Sequence, residues 1–183
     1  MSDRQYKLVT CTINGCECTA MVDVRSSLAD MLRNEYELTS VKKGCEVGEC
    51  GACTVIIDGE CFNSCIYLAI WADGKSITTL EGLTGPKGEL SDLQQAFADE
   101  TAIQCGFCTP GFIVEAENVL ERGKIYSDDE LRKLLSGHLC RCTGYDNIIR
   151  AVKKTMYQRH GMKMPEEAAA DEPLIYQPDE IKK

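Results

Sequence analysis

The sequence has few basic residues, only two histidines and no long apolar run. Lys and Arg together number 20 against 29 Asp and Glu, which gives the 183 residues a formal net charge of −9. Nucleic-acid-binding domains carry basic patches and anionic membrane surfaces attract basic segments, so this composition argues against both kinds of partner. No stretch approaches the roughly 18 apolar residues that a transmembrane helix needs.

Cysteine is the residue in excess, with 12 in the chain. The first seven residues, MSDRQYK, lack an apolar region, paired arginines and a cleavage pattern, so we expect no secretory signal and a cytoplasmic location. Thiols stay reduced in that compartment, where clustered cysteines bind metal more often than they form disulfides. The even number of cysteines keeps a disulfide framework as the alternative.

The pattern along the chain predicts an α+β fold with two domains. Asn14-Gly15 and Asp58-Gly59 are pairs that favour two-residue hairpin turns, and Ser26-Ser27 can cap a helix. The predicted elements of the first part are strands 6–13, 16–24, 54–57, 61–62 and 76–80 and a helix beginning near 28. Residues 81–90, EGLTGPKGEL, are interpreted as a linker because three glycines and a proline interrupt the pattern.

After the linker the spacing of apolar residues becomes helical. Capping boxes begin at Ser91 and Ser127, Thr109-Pro110 is typical of a cap and a first helical residue, and a fourth helix follows Gly144. We therefore predict a helical bundle over 83–160, after a domain of β structure with one helix over 1–82. Residues 161–183 form an acidic, proline-containing tail, in which Leu174-Ile175-Tyr176 either docks on a partner or lies in a solvated segment.

Four cysteines of the first domain have the spacing of an iron–sulfur site. Cys45, Cys50 and Cys53 follow C-x4-C-x2-C, and Cys65 lies further on, which is the plant-type arrangement for a [2Fe–2S] cluster. Three glycines interleave with them and let backbone N–H groups approach the sulfurs, an interaction that stabilises the reduced cluster: Gly44, Gly48 and Gly51. Zinc is the alternative, although zinc sites favour short paired knuckles on both sides.

A second quartet consists of Cys105, Cys108, Cys140 and Cys142, in the helical part. Spacing alone leaves both a zinc site and an iron–sulfur site open for this set. The other four cysteines are interpreted as buried structural thiols: Cys11, Cys16, Cys18 and Cys61. His138 lies near Cys140, but a structural or surface role is favoured over a ligand role because four cysteines complete the quartet. No sequence pattern of a hydrolase triad or a nucleotide-binding loop is present, and we assign no catalytic residue.

Three motifs resemble one family. They are GCEVGECGACTV (44–55), QCGFCTPG (104–111) and LCRCTGY (139–145), and together with the chain from about 5 to 160 they resemble the iron–sulfur subunit of molybdenum hydroxylases. That family includes xanthine dehydrogenase, aldehyde oxidase, carbon monoxide dehydrogenase and nicotinate dehydrogenase. The resemblance implies a β-grasp ferredoxin-like domain with one [2Fe–2S] cluster, followed by a four-helix bundle with a second one.

The resemblance also implies partners and cofactors that this chain does not itself hold. Gln104 matches the position that touches the pterin, and Cys142 matches the ligand whose surroundings link the cluster to it. A large subunit would hold molybdopterin, in the cytosine dinucleotide form, and a medium subunit would hold FAD, in a dimer of heterotrimers. The chain would pass electrons singly from the molybdenum-pterin site through two clusters to FAD. A free-standing ferredoxin-like carrier or redox sensor and a zinc-stabilised interaction module are the other two hypotheses.

Overall fold

The structure is a computed structural model that describes residues 4–165, and it confirms the α+β fold class. One five-stranded sheet has the order β2-β1-β5-β3-β4, in which β1 and β5 are parallel and the other neighbours are antiparallel. The strands are β1 Tyr6–Ile13, β2 Cys16–Asp23, β3 Thr54–Ile57, β4 Glu60–Asn63 and β5 Ser76–Thr78. The helices are α1 Leu28–Asn34, α2 Asp92–Asp99, α3 Thr109–Glu121, α4 Asp128–Leu134 and α5 Asp146–Arg159.

Turn chemistry fixes the register of the first hairpin. Asn14 and Gly15 have φ angles of 51° and 81°, which both positions of a type I′ turn require. Ile13 consequently pairs with Cys16, and alternate residues of β1 face the core with Val9 completely buried. Helix α1 begins after Ser27, whose side chain accepts a hydrogen bond from the N–H of Asp30, as the sequence predicted.

The four helices of the second half lie at the predicted positions. Ser91 and Ser127 both form complete capping boxes, with Gln94 and Glu130 respectively. The cap of α3 was predicted one residue too late, because Cys108 is the N-cap and Thr109 is already helical. A cysteine of the second quartet therefore begins α3, a helix in which ten of the 13 residues are buried.

An ion-pair network ties three helices together at the end of α5. The Arg159 guanidinium lies 2.7 Å from the Asp92 carboxylate and 2.9 Å from that of Glu117. These two acidic residues belong to α2 and α3. The single guanidinium group of Arg159 therefore connects α5 to both helices.

The two halves of the chain pack directly against each other. Helix α3 lies on β3 and β4, and the side-chain amide of Asn118 donates to the Gly59 carbonyl oxygen at 2.6 Å. The predicted linker begins with a 3-10 turn at Leu80–Leu83, in which the Glu81 carboxylate accepts hydrogen bonds from Ser40 and Thr79. The linker is therefore anchored to the first domain, and the boundary between 82 and 83 stays a prediction.

Within residues 4–165, none of the helices has the length and apolar character required to cross a membrane. The predicted tail lies mostly outside the described residues, including its apolar patch Leu174–Tyr176.

Candidate metal centres

The first cysteine quartet converges in the loop that precedes β3. The Cys45 thiol contacts the Cys50 thiol, and the Cys65 thiol contacts that of Cys53, so the four sulfurs meet in two pairs. Cys65 lies just after β4. Because β3 and β4 form an antiparallel hairpin, the end of β4 lies beside the loop that precedes β3. The loop can wrap around the sulfurs because its backbone takes a left-handed conformation at Gly48 and Gly51, with φ of 82° and 68°.

Backbone N–H groups point at the sulfur of Cys45. The Glu49 N–H donates to Cys45 Sγ at 3.3 Å. Hydrogen bonds from the backbone of Val47, Cys50 and Glu49 lower the pKa of the Cys45 thiol to about 6. Burial, followed by the neighbouring Cys53 thiol, instead raises the pKa of Cys65 to about 11. Sulfurs this close cannot all ionise unless a cation is present, which is the property expected of a metal site.

The second quartet joins the start of α3 to the segment between α4 and α5. Cys108 contacts Cys140, and Cys105 contacts Cys142, so this site also consists of two pairs of thiols. Burial, and then the Cys140 thiol, raise the pKa of Cys108 to about 12. The Cys105 thiol raises the pKa of Cys142. The two sites therefore share the same arrangement, although one lies beside a sheet and the other between helices.

Thr143 is a residue of the second site to which the sequence analysis gave no role. Its N–H and its hydroxyl lie 3.4 and 3.1 Å from Cys140 Sγ, and both donate to that sulfur. Burial raises the pKa of the Cys140 thiol, but these hydrogen bonds outweigh it and the pKa is lowered. The Tyr145 hydroxyl accepts a hydrogen bond from the Cys140 N–H at 3.1 Å, which fixes the same segment. In the sequence, only the position of Thr143 directly after Cys142 indicated that it lies at this site.

The residues present fit a two-iron cluster at each site. The sulfurs meet two by two, and a [2Fe–2S] cluster takes two thiolates on each of its irons. Hydrogen-bond donors directed at Cys45 and Cys140 would stabilise the extra negative charge of a reduced cluster.

The two candidate sites are joined by the protein backbone. The Leu139 N–H donates to the Cys50 carbonyl oxygen at 3.1 Å, and Leu139 is bonded to Cys140. One hydrogen bond thus connects a cysteine of the first quartet with a cysteine of the second. Glycine makes this approach possible, because a Cβ at Gly111 would collide with the Gly51 carbonyl oxygen.

His138 is buried at this junction. Of the structural and surface roles predicted for it, the structure shows the structural one. It is 5% exposed, and burial lowers the pKa of its imidazole to about 4, which keeps the ring neutral. Its Nε2 lies 3.0 Å from Thr54 Oγ1, and Nδ1 has no hydrogen-bond partner of good geometry.

The remaining predicted residues lie in different surroundings. Gln104 is exposed and directly precedes Cys105, while Cys142 is exposed on the same site. The interpretation of the four spare cysteines as buried thiols is right for Cys11 and wrong for Cys16, which is exposed at the first position of β2, beside the hairpin turn. Cys18 and Cys61 are half-buried.

Family models match both halves of the chain. A model described as "2Fe-2S iron-sulfur cluster binding domain" matches residues 11–76. A model described as "[2Fe-2S] binding domain" matches residues 79–153. Each match contains one complete cysteine quartet, which supports iron rather than zinc for the second site.

Whole proteins of similar sequence are small subunits of hydroxylases and dehydrogenases. The chain is 50% identical over 154 residues to the xanthine dehydrogenase iron-sulfur-binding subunit of Escherichia coli, covering 83% of this chain and 96% of that one. It is 50% identical over 140 residues to the nicotine 6-hydroxylase small subunit of Paenarthrobacter nicotinovorans, covering 76% and 84%.

Solved structures agree with the sequence relatives. A chain of quinoline 2-oxidoreductase from Pseudomonas putida superposes with a TM-score of 0.81 at 43% identity, covering 87% of this chain and 99% of that one. The aldehyde oxidoreductase of Desulfovibrio desulfuricans gives 0.81 at 41% identity, covering 86% of this chain and 18% of that longer one. The chain belongs to the iron–sulfur subunits of the molybdenum hydroxylase family, which includes xanthine dehydrogenase and aldehyde oxidoreductase.

Proposed function

We propose that this chain carries electrons one at a time from a molybdenum-pterin site on a large subunit to FAD on a medium subunit. Four cysteines would hold the outer cluster, on the flavin side, and four the cluster beside the pterin: Cys45, Cys50, Cys53 and Cys65, then Cys105, Cys108, Cys140 and Cys142. Each [2Fe–2S] cluster, when bound, takes up and releases a single electron. The chain's own residues hold and orient the clusters and make no bonds to substrate.

The observation that carries this proposal is the direct contact between the two sites. Because the Leu139 N–H donates to the Cys50 carbonyl oxygen, the route from Cys50 to Cys140 runs through covalent bonds and a single 3.1 Å hydrogen bond. A free-standing ferredoxin-like carrier would need only the first quartet. That alternative explains neither the second quartet nor the hydrogen bond between the two sites. Gly51 and Gly111 are both buried where the two loops meet, and their lack of side chains allows this close approach.

Hydrogen bonds from the chain are suited to setting the affinity of each site for an electron. Donors that point at a cluster sulfur favour the reduced form, because reduction adds negative charge to it. The Glu49 N–H acts on Cys45, and the Thr143 N–H and hydroxyl act on Cys140. The two sites differ in these donors, so we expect two different reduction potentials.

Exposed residues of the second site are suited to contact the pterin. Gln104 and Cys142 both face solvent in this chain, so a partner subunit can reach them. The assembly proposed on this basis is a dimer of heterotrimers in the cytoplasm, with molybdopterin cytosine dinucleotide in the large subunit. The proposed domains are 1–82 and 83–160, followed by the tail 161–183. Conversion of the substrate itself would take place on the large subunit.

Cys50→Ser tests the function in the complex co-expressed with its partner subunits. We expect the iron content to fall from about four per chain to about two, with one reduced-cluster EPR signal lost, since two clusters contain four irons. Electron delivery to the flavin should be abolished, while reduction of the remaining cluster by substrate should persist. Cys16→Ser is the matched control, because Cys16 is exposed and lies outside both quartets. Full flavin reduction by the Cys50→Ser complex would contradict the proposal, and one or two zinc ions in place of iron would overturn it.

A further inference from the structure

We propose that His138 is a positioning residue for electron transfer between the two sites. Its imidazole fixes the segment 137–140 against the loop of the first quartet, and so holds the Leu139 N–H on the Cys50 carbonyl oxygen. This inference rests on the electron-transfer function proposed above. It adds a role for a residue that lies outside both cysteine quartets.

The tautomer of the ring is assigned from its hydrogen bonds. The Thr54 hydroxyl donates its hydrogen to the Gly51 carbonyl oxygen at 2.8 Å, the shorter of its two contacts with an amide oxygen. Thr54 Oγ1 then accepts from His138 Nε2, at 3.0 Å, in the tautomer with the hydrogen on Nε2. The chain His138–Thr54–Gly51 ties the second site's segment to the loop that contains Cys50 and Cys53.

The ring also fills the space where three segments meet. A Cβ on Gly51 would lie 2.5 Å from His138 Cδ2, and one on Gly111 would lie 3.2 Å from the same atom. On its other side the imidazole stacks at a tilt on Phe112, with ring centroids 5.0 Å apart. His138 borders two cavities of about 250 and 160 Å³, so truncation of this side chain would join them and open the junction.

The position of His138 distinguishes this role from ordinary core filling. The next residue, Leu139, donates the hydrogen bond that links the two sites, so a displaced ring displaces that bond as well. Functional groups need support that holds them to within about 0.5 Å, which buried side chains with fixed rotamers provide. His160, the other histidine, bonds to Met156 and Gly123 at the end of α5 and contacts neither cysteine quartet.

The test uses the iron-loaded complex with His138→Ala, His138→Phe and His138→Gln, and His160→Phe as the matched control. The phenylalanine variant keeps the ring but loses the donor to Thr54, whereas the glutamine variant keeps an N–H donor without the ring. Two measurements are made on each: iron per chain, and the splitting of the EPR spectrum that arises when both clusters are reduced and their spins interact.

We expect His138→Ala to load both clusters and to lose the resolved spin–spin splitting, with slower transfer between the sites. His138→Gln should restore the splitting at least in part, and His138→Phe should reduce it. Thr54→Val should reduce the splitting at least as much as His138→Phe, because it removes the hydrogen bond to Gly51 together with the one to His138. Adding His138→Phe to Thr54→Val should cause no further change, because the shared hydrogen bond is already absent. If the alanine variant fails to load four irons, the spin–spin splitting of the glutamine and phenylalanine variants tests the inference, because both side chains fill the space of the imidazole.

Unchanged splitting and transfer rate in His138→Ala and His138→Phe, equal to those of His160→Phe, would overturn the inference. That result would leave the electron-transfer function intact, because both clusters would still be present and connected. Failure of the function itself would appear differently, as full flavin reduction in the Cys50→Ser complex.

Discussion

Replacement of Thr143 by valine should lower the reduction potential of the second cluster. The hydroxyl of Thr143 donates to Cys140 Sγ at 3.1 Å, and valine has the same shape without that donor. A hydrogen bond to the ligand sulfur stabilises the reduced form more than the oxidised form, because the reduced cluster carries one more negative charge. The backbone N–H of Thr143 still donates at 3.4 Å, so the substitution removes one of two donors.

The size of the shift follows from the energy of one hydrogen bond. A hydrogen bond to a charged group contributes about 1.5–3 kcal/mol, and only the part that differs between the two oxidation states changes the potential. A difference of about 1 kcal/mol corresponds to about 40 mV for one electron, from about 59 mV per tenfold change in the equilibrium constant. We therefore expect the midpoint potential to fall by about 20–60 mV.

The assay is a redox titration of the complex, followed by the EPR signal of each cluster. The first cluster is the internal reference, because Thr143 does not touch its quartet and its potential should not move. Thr143→Ser keeps the hydroxyl and should keep the potential close to that of the unmodified protein. An unchanged or raised potential of the second cluster in Thr143→Val would refute the reasoning, and an equal shift in both clusters would indicate a general structural change.

Gly51→Ala should destabilise the iron-loaded chain by about 2–5 kcal/mol in urea unfolding, because the left-handed φ strains alanine and its Cβ would meet His138 at 2.5 Å. Gly123→Ala, where φ is 64° and space is open, should cost only about 1–2 kcal/mol, and equal losses would contradict the steric argument. Arg159→Met should lower the free energy of unfolding by about 1–2 kcal/mol at pH 7. Arg159 holds the pKa of Asp92 below its usual range, so this stabilisation is complete above about pH 4 and is lost as the pH falls through the folded-state value. A loss that stayed the same at lower pH would show that packing, rather than charge, is responsible.

Local signals explain which parts of the fold could be predicted. The Asn14-Gly15 turn and the capping boxes at Ser91 and Ser127 depend on residues a few positions apart, and the structure has all three. The start of α3 was predicted one residue too late, because the cap at Cys108 makes no side-chain hydrogen bond that a sequence pattern could reveal. The exposure of Cys16 depends on what packs above it, and strand alternation contains no information about that.

The cysteine spacings by themselves predicted two quartets and which cysteines belong to each. That was possible because a loop such as C-x4-C-x2-C has few ways to place three thiolates around one compact group. Only the tertiary structure decided how the two sites are connected. The contacts of Leu139 with Cys50 and of His138 with Thr54 join residues about 85–90 positions apart along the chain, through the packing of α3 on the sheet. Such contacts depend on how two separately patterned halves meet, and no local sequence pattern specifies that geometry.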